Sequence, residues 1–245
     1  MSEVATTFAA LDNAPRSDST AQRIKDYILL SRLHPGDLLP SETEICAAIG
    51  VSRSSVREAM RRLAALDIVE VRHGHGTFVG QLSLSPLVEG LVFRGVLSPG
   101  DDVAALREVI ELRIALDHAM AERTIALLQG TTNPDLMELV EEMEAKSALG
   151  QPFTEADREF HSRLAARLGN RLFEQLVTAF WQVHAAVYPQ LGLAPAQQLD
   201  ETARAHGRML RAAEAGDLDA LKQAIDAHYA PLLRALNDRS SNNPA

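Results

Sequence analysis

Apolar positions recur with a helical period from about Thr20 to Arg32, placing Ile24, Ile28 and Leu29 on one face before Pro35-Gly36 breaks the run. After Leu39-Pro40, Ser41 precedes Glu44 by three residues, the reciprocal capping pattern of a helix start. The short helix it opens carries Ile45, Ala48 and Ile49, and Gly50 is placed to end it. Cys46 falls between Ile45 and Ile49 and reads as a small core residue. Ser52 or a neighbouring serine caps a third helix with Val56, Ala59, Met60, Leu63 and Leu66 facing inward. The period then shortens to that of strands, Ile68 to Arg72 and Thr77 to Val79. His73-Gly74-His75-Gly76 joins them, and two glycines in four residues suit a hairpin with positive φ.

The remainder predicts no strand. Residues 81–100 contain Pro86, Gly90, Gly95 and Pro99-Gly100 and read as a linker with room for one short helix. Helical periodicity then returns in six blocks, near 101–129, 134–149, 154–168, 171–191, 196–215 and 217–237, with Gly- or Pro-containing breaks between them. Six antiparallel helices with short connections make a bundle. The expected fold is mainly α: a winged helix-turn-helix over 19–80 and an all-α bundle over 101–238. Residues 1–18 read as a disordered arm and 239–245 as a tail.

Composition changes the picture only when divided. The net charge of −9 argues against nucleic acid, yet residues 19–80 hold eight Lys/Arg and seven Asp/Glu, a net of +1. Residues 81–245 hold fifteen against twenty-three, so the acidity belongs to the bundle. A near-neutral domain can bind DNA when its cations share a face. One cysteine excludes a disulfide framework. No apolar run approaches the roughly 18 residues of a membrane span, and the expectation is a cytoplasmic protein with no membrane partner.

The third helix carries Arg53, Arg57 and Arg61 at i, i+4 and i+8, opposite its apolar stripe. In a helix-turn-helix this second helix of the pair enters the major groove. There an arginine fork can bond guanine O6 and N7 together, for about 1–3 kcal/mol of base discrimination. Ser52, Ser54 and Ser55 sit where a helix N-terminus can accept a phosphate. Three arginines alone would more often be a solvated face, but the hairpin that follows lets His73 and His75 reach an adjacent groove or phosphate. The stretch from "LHPGDLLPSE" through "VSRSSVREAM" to "GHGTFV" resembles the DNA-binding domain of the GntR family of bacterial repressors. That resemblance implies DNA contacts from Ser52, Arg53, Ser54 and Arg57, with His73, Gly74 and His75 at the wing tip. Thr43 stands where the family usually has Arg, which bears on the operator sequence. A single reading head per chain, and the resemblance, imply a homodimer on a pseudo-palindromic double-stranded DNA operator.

Three histidines lie within apolar stripes of the bundle: His161 with Leu164 and Leu168, His206 with Met209 and Leu210, His228 with Ile225 and Leu232. Asp157 shares the face of His161 one turn earlier, so an oxygen and a nitrogen donor stand together. A lone inward histidine is usually a satisfied core residue, but three with a carboxylate strain that reading. Residues from about 105 to 236 resemble the FCD-type effector domain of the FadR subfamily, through "DREFHSRLAARLGN" and "AHGRMLRAAEAGDLDALKQAIDAHY". The resemblance implies Asp157, His161, His206 and His228 as ligands of a divalent transition metal, and Arg113 as an anchor for a small organic-acid effector. Three imidazoles and a carboxylate suit zinc first, with nickel, manganese or iron also compatible. Arg113 could instead be a surface residue paired with Asp117. The expected function is a ligand-responsive transcriptional regulator, a repressor, and not an enzyme. The rival readings are a helical metallohydrolase and a bare dimerisation scaffold.

Overall fold

A computed structural model describes residues 19–97, 102–187 and 196–242. The arm 1–18 and the last residues of the tail, 243–245, lie outside the described residues. The chain divides into two compact units, one through Pro86 and one from Leu87.

In the first unit, helices α1 (Thr20–Leu30), α2 (Glu42–Ile49) and α3 (Arg53–Ala64) precede strands β1 (Val69–Arg72) and β2 (Gly76–Val79). The capping box forms as the spacing predicts: Ser41 Oγ accepts the Glu44 N–H at 3.3 Å and the Glu44 carboxylate accepts the Ser41 N–H at 2.8 Å. Gly50 closes α2 in the left-handed region at φ 67°, and Ser52 caps α3 by accepting the Ser55 N–H at 3.2 Å. The strands pair antiparallel from Val69↔Val79 to Arg72↔Gly76, and Gly74 and Gly76 take φ of 78° and 111° at the tip. Leu38 bridges to Phe78, and the Leu39 N–H donates to Thr77 O at 2.8 Å, so the segment before α2 stiffens the wing. Ile24, Ile45, Val56, Leu63, Val69 and Val79 form the core.

Two apolar residues expected inside face outward. Leu29 is 73% exposed and Leu66 is 55% exposed. Each stands at a helix end where the face turns away: α1 stops at Leu30, and Leu66 follows the end of α3 in the turn that sets Asp67 at φ 53°. Cys46 is half-buried at the core's edge. After the wing the chain passes Asp67 so closely that a Cβ on Gly80 would stand 2.2 Å from its carbonyl oxygen.

The stretch read as a linker with room for one short helix holds a 13-residue helix, α4 (Ser85–Leu97), which begins two residues before the second unit does. Val88 is buried and Leu91 and Val92 are half-buried, against Gly90 and Gly95, which cost about 1 kcal/mol each in a helix interior. The bundle comprises α5 (Asp102–Leu128), α6 (Pro134–Ala148), α7 (Thr154–Arg167), α8 (Arg171–Val187), α9 (Ala196–Ala215) and α10 (Leu218–Asn242). Helix α10 packs on α9 and α5, α9 on α6, and α7 lies between α6 and α8. Leu106, Ile110, Leu136, Met143, Phe160, Leu210 and Leu221 are fully buried. Among the described residues no helix is long and apolar enough to cross a membrane.

Candidate functional site

On the first unit, α3 presents Ser52, Arg53, Ser54 and Arg57 along its exposed N-terminal half, and His73, Gly74 and His75 form the exposed wing tip. The serines share a local network, Ser52 Oγ lying 2.7 Å from Ser54 Oγ and 2.9 Å from Ser55 Oγ. Arg57 Nε donates to Glu42 at 2.8 Å, and that carboxylate raises the arginine above its ordinary value. Arg72 is fixed at the root of the wing: its guanidinium lies 4.3 Å over the Phe78 ring and donates to both carboxylate oxygens of Glu70. Thr43 is exposed on α2.

Within the bundle, α7, α9 and α10 bring Asp157, His161, His206 and His228 together, one donor atom from each lying within 4.8 Å of every other. His206 is fully buried, and His161 and His228 are buried beside it. His206 Nδ1 is 2.9 Å from the Thr202 carbonyl, which can only accept, so Nδ1 carries a proton. Its Nε2 then faces Asp157 Oδ1 at 2.9 Å and His161 Nε2 at 3.3 Å. In the neutral imidazole that nitrogen bears a lone pair pointed at a carboxylate and at a second imidazole nitrogen. The His228 Nδ1 is buried with no hydrogen-bond partner among the described residues. Lone pairs thus converge on one buried point, and three imidazoles with a carboxylate are a donor set that fits a divalent transition metal. The Thr202 carbonyl does what partners of metal-bound histidines do, fixing tautomer and ring orientation.

Burial pushes His161 below its ordinary value, against the opposing pull of Asp157, and pushes His228 well below, assisted by His206 and His161. Burial would raise the Asp157 carboxyl, but hydrogen bonds and charge from His161 and His206 overcome it and hold the group well below its ordinary value. All three shifts have one sign for stability. The unfolded histidines take up protons around 6.5 while the folded ones resist, so their contribution is complete above that value and drains as pH falls below it. Asp157 adds a loss in the same direction at pH below 3.8. The melting temperature of metal-free protein should therefore fall steadily from about pH 7 to about pH 5. A rise across that window, read by calorimetry, contradicts the buried neutral pair.

Arg113 of α5 is buried, not a surface residue, with its guanidinium 5.3 Å from the centre of the Tyr229 ring. Burial would lower it, but Tyr229, Asp117 and Asp157 more than offset that and raise it. Tyr229 and Asp117 complete this corner. The Tyr229 hydroxyl donates to Asp117 Oδ2 at 2.6 Å, and burial first, with the Asp117 charge, lifts the phenol well above its ordinary value. Sequence reasoning missed Tyr229; its one signal was an aromatic placed directly after the inward His228. A cavity of about 30 Å³ opens beside His161, lined by Asp117, Thr124, Leu164, Phe173 and Ile225 among others. That volume holds roughly one water.

Residues 16–79 match the family described as bacterial regulatory proteins, gntR family, and residues 108–231 match the FCD domain. The galactonate operon transcriptional repressor of Escherichia coli (strain K12) is 25% identical over 91% of this chain and 97% of that protein. The Uxu operon transcriptional regulator of the same organism is 31% identical over 68% of this chain and 67% of its own length. Among solved structures, that of Streptococcus agalactiae GntR superposes with a TM-score of 0.62 at 27% identity, covering 88% of this chain and 97% of that one.

Proposed function

This chain belongs to the gntR family of bacterial regulatory proteins and carries an FCD domain, and from that premise we propose that it is a repressor whose grip on its operator is set by a small organic acid bound in the bundle. It is a transcriptional regulator and not an enzyme, which sets aside the hydrolase reading. The observation that carries the sensing role is the buried convergence of Asp157, His161, His206 and His228 with Arg113 on the neighbouring helix α5. A packed scaffold would gain by replacing these side chains with apolar ones.

In this reading α3 enters the major groove, with Ser52, Arg53, Ser54 and Arg57 on bases and phosphates, while His73, Gly74 and His75 touch the flanking groove or backbone. Two copies form a homodimer and read two half-sites. Asp157, His161, His206 and His228 would hold a divalent transition metal, zinc first. Such an ion offers a Lewis-acidic point to a carboxylate. Arg113 supplies the second grip, because a guanidinium matches a carboxylate with two parallel hydrogen bonds. A relative that represses the galactonate operon, whose name is that of a carboxylate, is consistent with this chemistry. An organic acid larger than water would enter the small cavity beside His161 only with movement of the helices that line it, which is the kind of change a switch needs. A ligand alters DNA affinity by as much as it prefers one helix arrangement over the other.

Operators selected from a random DNA pool by the full-length protein should be inverted repeats. One member of a panel of small carboxylates, galactonate included, should weaken binding about 5–150-fold, the range of ordinary allosteric couplings. The same compound should raise the melting temperature of zinc-loaded protein. A panel in which no carboxylate moves either quantity defeats the proposal.

A further inference from the structure

The cations of α3 and of the wing are partly neutralised by the protein itself. Arg57 pairs with Glu42 at 2.8 Å, Arg61 with Glu58 at 3.2 Å and Arg72 with Glu70 at 2.8 Å. The second and third pairs join near neighbours in one element. Arg57–Glu42 alone of the three crosses between helices, from the reading helix to the first turn of α2. The backbone beneath Glu42 is held by the Ser41–Glu44 capping box immediately around it, so the carboxylate starts from a fixed origin. Both side chains face solvent, at 63% and 38% exposure, so an approaching duplex would meet them as a pair.

We propose that Glu42 is a positioning residue that determines operator specificity: it holds Arg57 by Nε, so that the two terminal nitrogens are presented together to a base edge, and its charge penalises binding through phosphates alone. A guanidinium tied at Nε keeps its Nη1–Nη2 edge free, and that edge spans the O6 and N7 acceptors of guanine. An arginine released from its tether swings to the nearest phosphate, a contact that carries no sequence information. The carboxylate meanwhile stands close to the backbone charges of any duplex, and only a site that engages the fork compensates for it. The near-neutral balance of residues 19–80 agrees with a head that trades general DNA affinity for discrimination. The inference rests on Arg57 reading a base, as proposed above.

Removing an acidic group from a DNA-facing surface ordinarily tightens binding to every sequence, which makes the expected result distinctive. The full-length protein is titrated with its selected operator, with the same fragment carrying altered half-site guanines, and with random DNA. Glu42→Gln should bind random DNA more tightly while its preference for the operator falls about tenfold. Glu42→Asp keeps the charge but shortens the reach, and should lose preference without that gain on random DNA. Partial unfolding would weaken both kinds of binding in parallel, so that outcome marks a structural role only and overturns the proposal. Arg57→Ala separates the two layers. If it loses preference while both Glu42 variants keep theirs, Glu42 has no positioning role; if it too keeps preference, the assignment of Arg57 falls and the role of Glu42 with it.

Discussion

Replacing His206 with alanine should leave the bundle unable to retain zinc through dialysis and should abolish the rise in melting temperature that zinc gives the unaltered protein. His206 is the most buried of the four donors, its Nε2 facing both Asp157 and His161 and its ring set by the Thr202 carbonyl. Without it the remaining donors are three, and the Nδ1 of one of them, His228, has no hydrogen-bond partner among the described residues. Native-state binding contributes about 4 kcal/mol when free zinc stands a thousandfold above its dissociation constant. In a domain the size of this bundle that is roughly 10 °C in melting temperature. In metal-free protein the substitution should cost less, because the cavity it opens is set against the relief of opposed lone pairs. The difference between loaded and metal-free melting is therefore the quantity to read. His206→Gln, which keeps most of the volume, should lose the zinc response equally. Full zinc content in both variants, with an unchanged zinc-dependent rise, would make these histidines ordinary core residues.

Much of this site was legible in the residue pattern because each donor sits on the inward stripe of a regular helix, where a 3.6-residue period is a dependable guide to direction. Asp157 and His161 share a face by spacing alone, while His206 and His228 are each flanked by aliphatic residues at helical intervals. The capping box of α2 and the glycines of the wing were legible for a local reason, since every partner lies within three residues. Tyr229 and Asp117 were not. They lie 112 residues apart, and nothing local announces that a hydroxyl on α10 will meet a carboxylate on α5. Asp117 read more simply as the i+4 partner of Arg113, and burial of that arginine came from packing between helices. The linker reading left room for one short helix, and α4 runs thirteen residues although Pro86, Gly90 and Gly95 look like punctuation, because proline is tolerated in a first turn and glycine in an interior. Glu42 looked like a plain first-turn acid, and its tie to Arg57 exists only once α2 and α3 pack together.

Arg113→Met should separate recognition of the organic acid from retention of metal. Methionine fills a similar space with no charge and no donors, and in the proposed site Arg113 supplies no ligand atom to the four-donor cluster. Zinc content should therefore stay near that of the unaltered protein, which doubles as evidence that the bundle is folded. The effector identified by the carboxylate panel should bind about 10–100-fold more weakly, the scale expected when a charge-assisted pair of hydrogen bonds is removed from a desolvated site. Its effect on operator binding should shrink with it, because coupling cannot exceed the ligand's differential affinity for the two helix arrangements. Arg113→Lys is the finer probe: it restores the charge without the planar fork, and should recover only part of the affinity. The position of Arg113 over Tyr229, with Asp117 behind that ring's hydroxyl, gives the guanidinium a fixed orientation that an ammonium on a flexible stem would not share. If Arg113→Met binds the effector as tightly as the unaltered protein while zinc content is unchanged, the arginine's charge is structural and the acid is held elsewhere in the bundle.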